Sequence, residues 1–239
     1  EVELLLAERS RDSLSPLAVR LPSHLSATDL VAARRDPEQF LDRLRRPMPL
    51  RPRVDARRGT AFHAWLEQRY GTPTLLDLDE LPGAFDADAV PPGSDLAELQ
   101  QAFLASQWAE RTPLEVEAPF ELVQQGVVIR GRADAVFADG DDLLVVDWKT
   151  GPPPTSPDER AARAAQLAAY RKAFAALYSL PVERVRAVFH HVRENLTIEG
   201  PAPSDDPLPA VLGVLAGGSA WTGGARPSPA APASGSRGR

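Results

Sequence analysis

The chain has 239 residues, a formal net charge of −6, 43% hydrophobic and 25% charged residues, and no cysteine. This composition fits one substantial soluble domain or two small ones. It excludes disulfides, thiolate zinc sites, a cysteine-held iron–sulfur cluster and a cysteine nucleophile. No run of about 18 apolar residues offers a transmembrane helix, so no membrane partner is expected, and the lack of cysteine is compatible with a cytoplasmic setting.

In chain order, residues 1–24 open with EVELLLAERS, which reads as a linker or the end of a preceding region. Ser26 can cap a helix, with Asp29 placed for a capping box. Asp36-Pro37 starts another, cap then proline, with Phe40, Leu41 and Leu44 at helical spacing until Pro47, Pro49 and Pro52 end it. Nine arginines fall between Arg34 and Arg58 against only Asp36, Glu38, Asp42 and Asp55. That excess is a footprint for a polyanion, or else a solvated face and loop. A third helix is expected from near Gly59 to Tyr70, with His63, Glu67 and Tyr70 on one face. Residues 71–95 read as loop, and Leu96 to Trp108 as a helix.

The apolar period then changes. Leu114–Leu122, Val127–Ala138 and Leu143–Lys149 read as strands, and Asp139-Gly140-Asp141-Asp142 between the last two is a hairpin signal. Asp158 to Tyr178 reads as an alanine-rich helix. Val182–Val192 reads as a further strand that a crossover can return to the same sheet in parallel. From Pro201 onward Pro, Gly, Ala and Ser dominate, and residues 201–239 are expected to be a disordered tail.

Asp134 and Asp147 interrupt two apolar strands. An even-length turn centred between Gly140 and Asp141 pairs Ala138 with Leu143, Val136 with Val145, and Asp134 with Asp147. Arg132 then falls opposite Lys149. Directly opposed residues have Cβ atoms about 4.5–5.5 Å apart, where like charges repel. Such a pair can share a proton, take a cationic side chain, or bind a divalent ion. Hard carboxylate oxygens suit Mg²⁺ or Mn²⁺. Lys149, one of only two lysines, projects on the face of Asp147. There it can hold an attacking water and offset charge on a pentacoordinate phosphate.

These residues resemble the core of the PD-(D/E)XK nucleases, and within it the RecB-type branch. Gly59-Thr-Ala-Phe-His63 resembles that branch's GxxxH helix, Gly131-Arg-Ala-Asp134 its G-x-x-D strand, Asp147-Trp-Lys-Thr-Gly151 its D-x-K-T-G, and Gln166-Leu-Ala-Ala-Tyr170 its Q-x-x-x-Y helix. The stretches LVAARRDPEQFLDRLRRPMP and RRGTAFHAWLEQRYG are most similar to the C-terminal nuclease domains of actinobacterial helicase–nucleases of the AdnB type.

The resemblance implies an α/β restriction-endonuclease-like core, a mixed central sheet flanked by helices with an N-terminal helical segment, over residues 25–200. It implies His63, Asp134, Asp147 and the Trp148 carbonyl as ligands of Mg²⁺ or Mn²⁺. Lys149 would orient water, with Gln166 and Tyr170 against the site and the DNA. Arg57, Arg58 and Arg132 join Gln166 and Tyr170 as DNA contacts, and Glu117 is a lesser candidate. Implied partners are single-stranded DNA, an upstream helicase motor and a sister subunit, in double-strand break processing. Many relatives carry Cys-Pro where this chain has Asp36-Pro37, so an iron–sulfur cluster is not expected.

Two other readings stand beside a DNase. One is a nuclease fold kept for DNA binding alone, against which His63, Asp134, Asp147 and Lys149 are intact. The other is a different metal-dependent phosphohydrolase, for which nothing indicates a small substrate. A carboxylate-pair glycosidase fits poorly, since it leaves Lys149 and His63 without a role. His190 and His191 show no partner pattern and are expected to be structural.

Overall fold

A computed structural model describes residues 22–46, 54–71 and 95–218 of the protein, with side chains from residue 59 in the second stretch and up to 215 in the third. Most of the expected entry segment, Arg51, Arg53, the side chains of Arg57 and Arg58, nearly all of the 71–95 loop and the tail beyond 218 lie outside the described residues.

A two-residue strand, β1 (Leu25–Ser26), leads straight into α1 (Ala27–Arg35). The capping box is present. Ser26 Oγ accepts from the Asp29 N–H at 3.0 Å, and Asp29 Oδ2 accepts from the Ser26 N–H at 2.9 Å, which satisfies donors that a helix start leaves unpaired. Asp36 likewise accepts from the Gln39 N–H at 2.9 Å and starts α2 (Pro37–Arg45), with proline in its first turn. Helix α3 (Val54–Arg69) begins before Gly59, so the glycine lies inside it. Helix α4 (Asp95–Leu104) stops before Trp108. There Ser106 Oγ donates to the Phe103 carbonyl at 2.7 Å and accepts from the Trp108 N–H at 3.3 Å, which turns the chain out of the helix.

The strands follow as expected: β2 (Glu115–Gln124), β3 (Val127–Asp139) and β4 (Asp142–Lys149). The β3–β4 hairpin turns on Gly140-Asp141, with Gly140 at φ +65 in the first central position, where glycine meets no Cβ penalty. Helix α5 (Pro157–Leu177) crosses back to β5 (Val185–His191), which runs parallel to β4. Strand β6 (Leu196–Glu199) then pairs antiparallel with β5.

The expected tail is corrected at its start. Residues from 201 include helix α6 (Leu208–Gly218), whose Leu208, Val211, Leu212 and Leu215 are all at most 3% exposed. These four stand at i, i+3, i+4 and i+7, a helical stripe that the surrounding Pro, Ala and Gly obscure. Burying each leucine is worth about 2 kcal/mol, ample reason for the segment to fold back onto the domain.

The result is a mixed six-stranded sheet flanked by helices, a restriction-endonuclease-like α/β fold. On one face Val136, Val145, Ala187 and Phe189 pack with residues of α1, α2, α5 and α6. On the other, Phe137, Val146, Trp148 and Val188 pack with Phe62 and Leu66 of α3, Leu99 and Phe103 of α4, and Trp108. No helix among the described residues is long and apolar enough to cross a membrane.

Candidate active site

Strand β3 is longer than any of its partners, and the site lies where they leave it. Along one edge β2 pairs with it from Val127 to Val136. Along the other, β1 pairs at Ile129 and Arg130, and β4 pairs from Ala135 to Asp139. Residues 131–134 fall in the gap between β1 and β4. Two neighbours diverging from one strand open a crevice in the sheet, the usual kind of place for a ligand in an open α/β fold. A groove of about 1200 Å³ runs there, with Ser26, Thr28, Phe120, Arg132, Asp134 and Tyr170 in its lining.

The expected hairpin register holds, from Asp139↔Asp142 through Ala135↔Val146. The ladder stops one pair short of Asp134 and Asp147, so these two are not ladder partners, and Arg132 is not opposite Lys149. Instead Asp134 Oδ2 accepts from the Trp148 N–H at 2.6 Å, a side chain standing in for a strand carbonyl. Arg132 pairs with Pro119 of β2, and its carbonyl lies 3.3 Å from the Tyr170 hydroxyl.

The other edge of β3 is distorted at the same level. The β2–β3 register would oppose Glu117 to Asp134, but that pair is missing from the ladder, and Glu117 has φ +49. A left-handed glutamate in mid-strand is uncommon and costs energy. Face alternation on β3 shifts here too: Ala133 and Val136, three residues apart, both pack on the α5 side.

Two clusters result. In the first, donor atoms of His63, Glu117 and Asp134 lie within 4.8 Å of one another, with His63 Nδ1 at 3.4 Å from Asp134 Oδ1. Helix α3 presents the histidine, since Phe62 and Leu66 anchor it in the core beside Trp148. In the second, Asp147 is almost wholly buried and both of its oxygens are engaged. Oδ1 lies 2.6 Å from Lys149 Nζ. Oδ2 lies 2.9 Å from the Tyr170 hydroxyl and 3.1 Å from Gln166 Nε2, which also donates to Tyr170 at 2.7 Å. The Lys149 ammonium sits 4.8 Å from the centre of the Phe189 ring, a cation–π contact.

Charge is unevenly divided between these groups. Burial opposes protonation of His63, but Asp134, Asp147 and Glu117 outweigh it and raise its pKa to about 9. Burial and the Asp134 charge push Glu117 up to about 7. For Asp134, burial is outweighed by His63, Lys149 and the Trp148 N–H, and its pKa falls. Burial and the neighbouring Asp134 raise Asp147, against the pull of Lys149. Burial and the two aspartates keep the Tyr170 hydroxyl protonated, so it remains a donor. Three carboxylates and an imidazole thus converge on one place, a donor set of nitrogen and oxygen suited to a divalent metal ion.

Of the residues expected from the sequence, His63 and Asp134 are brought together, and Gln166, Tyr170 and Lys149 are gathered around Asp147. Glu117, a lesser candidate, stands within the ligand cluster. The signal for it was a carboxylate inside an otherwise alternating strand. Gly59 faces Thr150 at the end of the D-x-K-T-G segment, where a Cβ would make ordinary contact at 3.5 Å. His190 and His191 are fully buried; their Nδ1 atoms lie 2.9 Å from Thr197 Oγ1 and the Gly151 carbonyl.

A mixed sheet whose crevice holds a histidine, three carboxylates and a lysine defines a metal-binding α/β domain of the restriction-endonuclease-like class. A sequence model described as the PD-(D/E)XK nuclease superfamily matches residues 24–217, and the chain belongs to that superfamily. It is a superfamily of metal-dependent nucleases, and the His63–Glu117–Asp134 cluster agrees with that chemistry. No curated protein matches the chain. One solved structure, described as "Crystal structure of SSO0001", is 20% identical over 91% of this chain and 84% of that chain, with a TM-score of 0.38, a likeness too slight to carry function.

Proposed function

We propose that this domain hydrolyses phosphodiester bonds of single-stranded DNA, using Mg²⁺ or Mn²⁺. The observation that carries the reading is the His63–Glu117–Asp134 cluster next to the Asp147–Lys149 pair in one crevice of the sheet. His63, Asp134 and Asp147 would hold the metal, with Glu117 and the Trp148 carbonyl as further candidates. The ion would supply Lewis acidity at a phosphoryl oxygen.

This chain's own residues account for the rest. Lys149, held between Asp147 and the Phe189 ring, can orient the attacking water and offset charge on the pentacoordinate phosphate. Tyr170 and Gln166 fix Asp147 from the opposite side. Arg132, in the lining of the groove, would meet a backbone phosphate. On this reading the single strand runs in the groove bounded by the first turn of α1 and by α5. On the same reading the domain acts with an upstream helicase motor and a sister subunit, of the kind found in RecB-type and AdnB-type helicase–nucleases, in double-strand break processing.

The test is digestion of single-stranded DNA with Mg²⁺ or Mn²⁺ by the wild type, Asp147→Ala and Lys149→Ala. Each variant is expected to lose about 10²–10³-fold in rate, the usual effect of deleting one positioned charge from such a site. Equal digestion by all three would rule the reading out. No digestion but tight DNA binding by the wild type would make this a binding module.

A further inference from the structure

The Tyr170 hydroxyl reaches Asp147, but nothing in a tyrosine fixes how deep its ring sits. That depth is set from behind. The Phe120 ring meets the Tyr170 ring edge to face, with centroids 5.3 Å apart and planes at 85°. Phe120 is 7% exposed and stands directly across the β2–β3 ladder from Gly131. A Cβ on Gly131 would lie 3.0 Å from both Cε1 and Cζ of Phe120, closer than nearly all real contacts of that kind. The phenyl ring therefore occupies the space that the glycine leaves empty.

We infer that Phe120 is a positioning residue of the site: seated over Gly131, it holds Tyr170 at the depth where its hydroxyl meets Asp147 Oδ2. That contact, with Gln166, turns Oδ1 toward Lys149 and the crevice. The chain of contacts is Gly131, Phe120, Tyr170, Asp147. It gives the glycine of the G-x-x-D segment a steric reason, independent of backbone freedom. The inference rests on the reading of this crevice as a metal-dependent nuclease centre. It adds a residue that acts on the metal site through Tyr170; because Phe120 also lies in the lining of the groove, Mn²⁺ affinity and not DNA cleavage is the readout of this role.

The test is a double-mutant cycle on the full chain, with wild type, Phe120→Leu, Tyr170→Phe and the double variant. Mn²⁺ affinity is read by titration calorimetry, DNA cleavage separately, and folding by melting in EDTA. Phe120→Leu is expected to weaken Mn²⁺ binding about 3–10-fold, less than the roughly 10–100-fold for loss of a direct hydrogen-bonding partner of a ligand. The same substitution in the Tyr170→Phe background should change Mn²⁺ affinity little, since the hydroxyl it positions is gone. Gly131→Ala, which keeps the ring but displaces it, should behave like Phe120→Leu, and it carries the cycle if the leucine variant does not fold. An equal loss of affinity in both backgrounds, or no loss in either, overturns the inference. If the wild type cuts DNA and the cycle shows no coupling, the positioning role falls and the nuclease reading stands. If it binds Mn²⁺ with the expected coupling but does not cut, the converse holds. A wild type that binds no Mn²⁺ overturns both.

Discussion

The two faces of the sheet bury polar groups to the same degree and treat them differently. On the α5 face, Asp147, Gln166 and Tyr170 are 2–6% exposed, and their polar atoms meet in one network. On the α3 face, Trp108, Trp148 and His190 are at most 1% exposed, and Trp108 Nε1, Trp148 Nε1 and His190 Nε2 have no hydrogen-bond partner among the described residues; outside the Asp147 network the α5 face has one such atom too, His191 Nε2. A buried network with every member satisfied is rigid and can be the base of a site. A lone indole N–H or imidazole nitrogen is tolerated because the ring buries so much apolar surface. Here Trp148 stacks on Tyr70, with Phe103 and Phe137 edge-on. Burial of a polar residue does not mark function; a convergent set of partners does.

The largest expected effect comes from the α3 face, away from the Asp147 network. Burial, with a smaller contribution from His191, lowers the His190 pKa from 6.5 to about 4. Since the folded value lies below the unfolded one, its contribution is complete above about pH 6.5. It is lost as pH falls toward 4, because the unfolded chain takes up the proton first. The full loss is about 3 kcal/mol. Urea unfolding at pH 7.5 and 4.5 should show wild type losing about 2.5 kcal/mol more than His190→Asn. Equal losses would show that His190 is not held neutral by its surroundings.

A smaller effect, of opposite sign to most substitutions, is expected at Glu117 in the site. Its left-handed backbone costs about 1–2 kcal/mol. Its pKa is raised from 4.5 to about 7, so the metal-free fold loses stability as pH rises between those values, where the unfolded chain gives up the proton first, and the loss is complete above about 7. Glu117→Gly should therefore stabilise the metal-free protein by about 1 kcal/mol at pH 8. The same substitution should shrink the stabilisation that Mn²⁺ brings. Melting curves in EDTA and in Mn²⁺ measure both, and a glycine variant less stable in EDTA would contradict the strain.

The smallest effect sharpens the comparison most. Trp148 serves the site through its main chain, by the N–H to Asp134, while its indole belongs to the opposite face. Trp148→Phe trades lost ring volume against removal of an unpaired buried donor worth about 1–3 kcal/mol. A net change below about 1 kcal/mol follows, with DNA cleavage unchanged. A large loss of cleavage would show that the indole, and not only the peptide, takes part in the site.

Residues local in sequence announced themselves. The Ser26 capping box, the Asp36 cap, the Gly140 turn, the strand alternation and the alanine-rich run of α5 need only neighbours within a few positions, so the helices, the hairpin and its register were legible in the chain. So were Asp134, Asp147 and Lys149, since an acidic pair inside apolar strands demands compensation, whereas Gln166 and Tyr170 were legible only through the resemblance to the PD-(D/E)XK nucleases. Helix α6 was missed because its four apolar positions lie among Pro, Ala and Gly, and the surface that buries them comes from helices far away in sequence. What tertiary structure alone decided was where the β3–β4 ladder stops, that a backbone distortion turns Glu117 toward His63 and Asp134, and that Asp147 spends its oxygens on Lys149, Tyr170 and Gln166. Those choices depend on competition between distant groups for the same few ångströms, and periodicity along one strand carries no record of it.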